Sequence, residues 1–355
     1  MDFTRYHSFQ DILAYPRMRE YLSVFFSENN LALFPESARA LPLALAERQL
    51  ESPWNEPFSE VTGQLLDAAH TVLDITERRA RRCISLWESE KDWTLEGERR
   101  GGKDSVFLLA PEFEKKAGVS QMRPAVIICP GGGYERVCFS GEGNPVMRFM
   151  EAKGYVAFVL KYRVAPERYP APQEDLALAV RYVREHAQEY GADPENVLLM
   201  GFSAGGHLCA SLGCLYREIA QMLEQETGEK VFPDSLRPDK LCLAYPVITF
   251  GEECHEGSFA ALTGGDERLR KPLSLEHRVT VDFPETFLWA CEDDGCVPPS
   301  NTMRMAAALK NVGARHEMRL YPSGGHGCNH AFGSSAYAWT QQLLEFFQQL
   351  PQSIG

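Results

Sequence analysis

Residues 197–207 read Val197-Leu-Leu-Met-Gly-Phe-Ser-Ala-Gly-Gly-His207, an apolar run that passes directly into a GxSxG pentapeptide centred on Ser203. A serine at a sharp strand-to-helix turn is held in a strained backbone conformation, and side chains two residues before and after it would collide. Gly201 and Gly205 remove that collision. The turn lifts the Ser203 hydroxyl above a sheet edge, where a histidine can take its proton and the N-terminus of the following helix favours developing negative charge. The pattern predicts the nucleophile of a serine hydrolase.

Outward from this turn, strand and helix patterns alternate. Upstream lie Ile84-Ser-Leu-Trp, Val106-Phe-Leu-Leu, Ala125-Val-Ile-Ile-Cys and Tyr155-Val-Ala-Phe-Val-Leu, the last two being continuous apolar runs of the buried-strand type. A helix beginning near Pro172 carries Leu176, Ala179, Val180 and Val183. Downstream, Leu241-Cys-Leu-Ala-Tyr, Thr286-Phe-Leu-Trp-Ala and Glu317-Met-Arg-Leu-Tyr continue the series. The alternation predicts an α/β fold: a mostly parallel sheet with helices on both faces and a site at the carboxyl ends of the strands.

The residues ahead of Cys83 follow a different pattern. Met18, Leu22, Phe25 and Phe26 fall on one face of a short helix, and Val61, Leu65, Ala69 and Val72, widened by Leu66 and Leu73, on one face of a longer one. Residues 1–77 are therefore read as a helical module packed on a catalytic domain of residues 78–355, with a lid or a homo-oligomer contact as rival roles. Arg78, Arg79, Arg81 and Arg82 form a basic cluster, read as a solvated linker or local ion pairs.

With 355 residues, 44% of them hydrophobic, the chain buries a core without external staples, and its formal charge of −13 argues against nucleic acid or anionic lipid as a partner. The start, Met1-Asp-Phe-Thr-Arg-Tyr-His, has no secretory pattern, and no run of about 18 apolar residues occurs, so a cytoplasmic enzyme without membrane contact is expected. The ten cysteines are scattered through strand and helix patterns and read mostly as buried thiols. Cys291, Cys296 and Cys328 raise the idea of a metal or redox site, but no CxxC pair supports it, and no metal is assigned.

A nucleophilic serine needs a base, a group to orient the base, and donors for the oxyanion. His326, in Gly324-Gly-His-Gly, follows the strand ending at Tyr321 and has the conformational room to approach the nucleophile. His330 is its competitor, and His207 on the helix after the turn reads as a packing residue. Glu292, Asp293 and Asp294 all follow Thr286–Ala290, and residue chemistry alone leaves the three open, two of them being ordinary loop charges. Pro130-Gly-Gly-Gly-Tyr follows a buried strand, and its successive glycines let backbone N–H groups converge. Gly132, Gly133 and Ala204 are the expected oxyanion donors. A phosphate-binding loop is the rival reading, but neither GK[ST] nor GxGxxG is present.

At this point the chain resembles the α/β-hydrolase superfamily, and more closely its hormone-sensitive-lipase-like and acetyl-esterase branches. PGGGY at 130–134, KYRVAPERYPAP at 161–172, GFSAGGH at 201–207, DGCVP at 294–298 and GGHG at 324–327 carry the likeness, in that order, over roughly residues 83 to 350. In these relatives the acid is the aspartate of a DxxVP pattern, which falls on Asp294. The glycine loop usually reads HGGG. Pro130 in place of the histidine is similar to the bacterial carbohydrate-acetylesterase branch, known as acetyl xylan esterase or feruloyl-esterase-like. The segment from Tyr162 to Glu167 corresponds to a structural stretch of the family, so Arg163 and Glu167 take no catalytic role.

The resemblance implies a serine esterase removing short acyl groups, acetyl above all, from a carbohydrate or other small alcohol, with no metal or organic cofactor. Ser203 attacks, His326 is the base and Asp294 orients it. Residues of about 249–285, with Phe250, His255, Phe259 and Leu262, are read as a cap-like insertion that shapes the substrate pocket together with Tyr134. A peptidase or amidase on the same fold, and a catalytically silent binding protein, are the alternatives.

Overall fold

The computed structural model describes residues 2–26, 28–52, 57–88, 91–113, 122–329 and 334–348. Eight strands form one sheet: β1 (Arg81–Ser85), β2 (Phe107–Pro111), β3 (Arg123–Cys129), β4 (Val156–Lys161), β5 (Ala192–Phe202), β6 (Lys240–Ala244), β7 (Glu285–Cys291) and β8 (His316–Tyr321). Their order across the sheet is β1-β2-β4-β3-β5-β6-β7-β8. The β1–β2 and β2–β4 pairs are antiparallel and the other pairs parallel. The expected first strand is displaced: it runs from Arg81 to Ser85 instead of reaching Trp87. The indole of Trp87 is drawn off the sheet by Asp175, whose Oδ1 accepts from its Nε1 at 2.7 Å.

A parallel strand buried on both faces sends alternate side chains into two layers. In β3, Ala125, Ile127 and Cys129 enter one apolar layer and Val126 and Ile128 the other. The first layer is closed by helices Ala171–Glu185 and Ala204–Thr227, through Leu176, Val180, Leu208 and Leu212. The second is closed partly by the N-terminal helices Met18–Phe25 and Phe58–Thr76, whose stripes (Met18, Leu22, Phe25; Val61, Leu65, Val72) are fully buried in it. Phe25 packs edge-on against Phe107 of β2 and Phe139, with ring centroids 6.0 and 5.5 Å apart. Asn30 Nδ2 donates to Ser140 Oγ at 3.4 Å. The N-terminal helices therefore touch the Phe139–Gly143 turn as well as the sheet.

The basic cluster resolves into local ion pairs: Arg78 with Asp74 at 2.8 Å, Arg82 with Asp92 at 2.9 Å, and Arg81 with Glu151. Arg163 is buried, donating from Nε to Asp175 Oδ1 at 2.9 Å and from its terminal nitrogen to Glu174 at 3.1 Å, which anchors the segment after β4. Buried charges persist only when paired in this way. All ten cysteines are free thiols. Among the described residues no helix is long and apolar enough to cross a membrane, and no His/Cys/Asp/Glu cluster could hold a metal ion.

Candidate active site

The turn after β5 has the backbone its sequence requires. Ser203 sits at φ 52°, ψ −120°, outside the comfortable regions for an L-residue. A Cβ on Gly201 would lie 2.2 Å from the carbonyl oxygen of Gly205, and one on Gly205 would lie 2.0 Å from that of Cys129. Both positions admit only glycine. Tyr134, Tyr245 and Asn329 also have positive φ, at 61°, 36° and 50°. Such residues gather where the surrounding structure imposes a conformation for function.

Ser203, His326 and Asp294 lie in one hydrogen-bonded chain. His326 Nε2 is 2.8 Å from Ser203 Oγ, and Nδ1 is 2.7 Å from Asp294 Oδ2. An ionised carboxylate only accepts, so Nδ1 carries the ring proton and Nε2 is left to accept from the serine hydroxyl. The Asp294 side chain is fully buried, and its Oδ1 accepts from the N–H groups of Cys296 and Val297, each at 2.9 Å. These donors fix the orientation of the carboxylate.

The three adjacent acids take different places. Glu292 is exposed, as an ordinary loop charge is. Asp293, expected to be another, instead accepts from the N–H groups of Gly325 at 2.8 Å and Gly324 at 3.2 Å. It pins the loop that presents His326, and two backbone donors explain why an exposed carboxylate is spent there. His330 lies outside the described residues. His207 is fully buried, with Nδ1 2.9 Å from Tyr134 Oη and Nε2 2.9 Å from the carbonyl oxygen of Leu273. Burial pushes its imidazole down to about 4, so it is a neutral packing residue.

The glycine loop carries Gly132 at φ 123° and Gly133 at φ 67°, and among the described residues no acceptor is found for the N–H groups of Gly132, Gly133 or Ala204. Free donors beside the Ser203 hydroxyl are of the kind that suits an oxyanion. Tyr134 departs from its expected place at the substrate pocket. Its side chain is wholly buried, edge-on to Tyr162 with centroids 6.2 Å apart, because its phenol is tethered to His207. It braces the loop from behind.

Glu142 was not singled out from the sequence. It lies on the π-helical turn Phe139–Gly143 and is buried; its Oε2 accepts from Gly131 N–H at 2.6 Å and its Oε1 from Tyr245 Oη at 2.8 Å. Burial pushes its carboxyl above the usual range, against the opposing effect of those two donors. Tyr245 in turn packs edge-on against His326, with centroids 4.9 Å apart, and accepts from Asn329 N–H at 3.2 Å. One carboxylate thus joins the glycine loop to the histidine loop. The available signal was an acid between glycines in Phe139-Ser-Gly-Glu-Gly, shortly after PGGGY.

A surface cavity of about 690 Å³, lined by Trp87, Lys103, Tyr182, Glu226 and Phe232 among others, shares no residue with this site. It lies by the far end of the helix that starts after Ser203, and its size does not make it the seat of the chemistry.

Comparison with known proteins bears on the family of the chain. Residues 113–244 match the BD-FAE family model, and residues 249–353 match that of the prolyl oligopeptidase family. An acetylxylan esterase of Xylanibacter ruminicola is 29% identical over 65% of this chain and 44% of its own length. Endo-1,4-beta-xylanase B of Butyrivibrio fibrisolvens is 33% identical over 61% of this chain and 34% of its own length. The chain thus spans less than half the length of these curated relatives. The crystal structure of an acetyl ester-xyloside bifunctional hydrolase from Caldicellulosiruptor lactoaceticus is 33% identical, covers 75% of this chain and 95% of its own, and superposes with a TM-score of 0.63. With the parallel sheet, the serine turn and that likeness over nearly a whole solved chain, this protein belongs to the α/β-hydrolase superfamily, in the acetyl xylan esterase-like branch of its esterases.

Proposed function

We propose that this chain is a serine carboxylesterase that removes short acyl groups, acetyl above all, from a carbohydrate or other small alcohol. The observation that carries this reading is the unbroken chain from Ser203 Oγ through His326 to Asp294, with contacts of 2.8 and 2.7 Å. Ser203 attacks the ester carbonyl while His326 Nε2 takes its proton. The oxyanion is held by the N–H groups of Gly132, Gly133 and Ala204, and Asp294 stabilises the imidazolium. His326 then protonates the departing alcohol, and water activated by the same nitrogen releases the acid from acyl-Ser203. The acidic chain and its ten free thiols suit a cytoplasmic setting.

Labelling by a fluorophosphonate, lost in Ser203→Ala together with roughly 10⁴-fold or more of the turnover of p-nitrophenyl acetate, is the expected result. Unlabelled wild-type protein would sink the enzyme reading altogether. A series of acyl esters tests the acetyl preference, because each added methylene changes discrimination modestly. A clear optimum beyond about six carbons would overturn it.

The match of residues 249–353 to the prolyl oligopeptidase family favours a second reading, cleavage of an amide on the same triad. Matched p-nitroanilides decide between the two. Turnover of the anilide equal to that of the ester would replace the esterase reading.

A further inference from the structure

Across from the glycine loop, helix Glu256–Thr263 begins at His255, whose ring caps its first turn. His255 Nδ1 accepts from Ser258 N–H at 3.2 Å and lies 2.8 Å from Ser258 Oγ. A backbone amide can only donate, so Nδ1 carries no proton, and in the neutral ring the proton sits on Nε2. Burial, followed by the proximity of His326, holds this imidazole below the usual histidine range, against the weaker opposing pull of Glu135 and Asp294. The ring is therefore a neutral N–H donor of fixed orientation. The acceptor it meets is Cys296 Sγ at 3.6 Å, a weak partner.

Three contacts place this donor at the reaction site. Ser258 Oγ is the nearest atom to the position a Cβ on Gly133 would occupy, at 3.9 Å, so the His255–Ser258 pair borders the glycine loop. Cys296 is exposed and tied back to Asp294 Oδ1 through its own N–H at 2.9 Å. Cys296, whose Sγ lies 3.6 Å from His255 Nε2, stands two residues after Asp294, the residue bonded to His326 Nδ1 at 2.7 Å. The donor thus stands between the glycine loop and the acid loop, with a poor acceptor that a better one can displace.

We propose that His255 Nε2–H donates a hydrogen bond to an oxygen of the alcohol portion of the ester, a sugar hydroxyl or ring oxygen, and so selects polar alcohols over aryl or alkyl leaving groups. This rests on the esterase reading above and names the residue that gives it substrate class. A site built around a donor discriminates against a substrate lacking the acceptor, because the donor is then left with the thiol alone.

The test is His255→Asn, which keeps a helix-capping oxygen but is too short to present the donor. Its readout is the ratio of kcat/KM for an acetylated xyloside to that for p-nitrophenyl acetate, measured for both proteins. Loss of one neutral hydrogen bond lowers this ratio about three- to tenfold. A merely structural defect lowers both rates together and leaves the ratio alone, so a ratio within twofold of wild type overturns the proposal. If wild-type enzyme hydrolyses p-nitrophenyl acetate but no acetylated sugar, the substrate class falls and this inference falls with it. An unchanged ratio in an enzyme that does hydrolyse the sugar ester removes the role of His255 alone.

Discussion

The nucleophile turn and the glycine loop sit side by side, yet they are held by different means. At Gly201 and Gly205 the backbone of neighbouring segments fills the space a side chain would need, within 2.2 and 2.0 Å of the would-be Cβ. The turn is fixed by close packing of main chain on main chain. In the loop, a Cβ on Gly132 would also meet backbone, the carbonyl oxygen of Arg136 at 2.3 Å, but around Gly133 nothing lies nearer than 3.9 Å, and side chains from elsewhere add to the hold: Glu142 on Gly131 N–H at 2.6 Å, and Tyr162 Oη on the carbonyl oxygen of Pro130 at 2.6 Å. A constraint made by nearby backbone is visible in a short motif, whereas one made by distant side chains is not.

The sharpest way to break this contrast is to add a methyl group to each segment. Gly205→Ala should destabilise by about 4 kcal/mol or more, seen as loss of soluble protein or a large fall in Tm, because carbonyl oxygens cannot move aside. Gly133→Ala meets open space and should cost roughly 1–2 kcal/mol for its left-handed backbone alone. Equal falls in Tm would show that the two segments are held alike. Next in size is Asp294→Asn, expected to lower kcat about 10⁴-fold with little change in fold, since an amide can leave His326 in the wrong tautomer. Retention of a tenth of wild-type kcat would point to a different acid.

Glu142→Gln probes the remote support directly. Removing one oxyanion donor outright costs about 10²–10³ in turnover, so a loosened loop should cost about ten- to a hundredfold in kcat, with KM within about threefold. Wild-type kcat in this variant would mean that Gly131 is held without the carboxylate. The smallest effect is expected for Asp293→Asn, which keeps one acceptor for Gly324 and Gly325: a few-fold loss of kcat, from a weaker pair of bonds worth about 1–3 kcal/mol when charge-assisted. A loss as large as that of Asp294→Asn would assign the two acids equal roles.

Among the described residues each strand overlaps a sequence pattern, most plainly the central parallel strands, which are runs of apolar residues bounded by turn chemistry; the edge strand β1 begins three residues earlier than its pattern suggests. Ser203, His326 and the glycine loop stood out for the same reason, each being a local pattern after a strand. Asp294 did not follow from its own chemistry beside Glu292 and Asp293 and came from family likeness. What separates the three is direction: Asp294 points inward to Nδ1 of His326, Asp293 sideways to two glycine amides, and Glu292 outward. Glu142 escaped notice because its partners lie 11 and 103 residues away. Tyr134 was misplaced because an aromatic beside a glycine loop was read as lining a pocket, while the buried His207 to which it bonds was hidden on the next helix.

The turn Phe139–Gly143 reaches beyond the site, since Phe25 and Asn30 press on it from the N-terminal helices. A minimal chain trimmed to the matched segments, residues 113–353, would keep Ser203, Asp294 and His326 but lose β1, β2 and the helices that press on the Phe139–Gly143 turn. We expect such a chain, or one beginning at residue 78, to lose turnover even where it stays in solution, and full turnover by either would refute this. On the proposed function the first thirty residues would act as a rear buttress for the glycine loop, and the smallest chain that contains Ser203, Asp294 and His326 would be shorter than the smallest chain that catalyses.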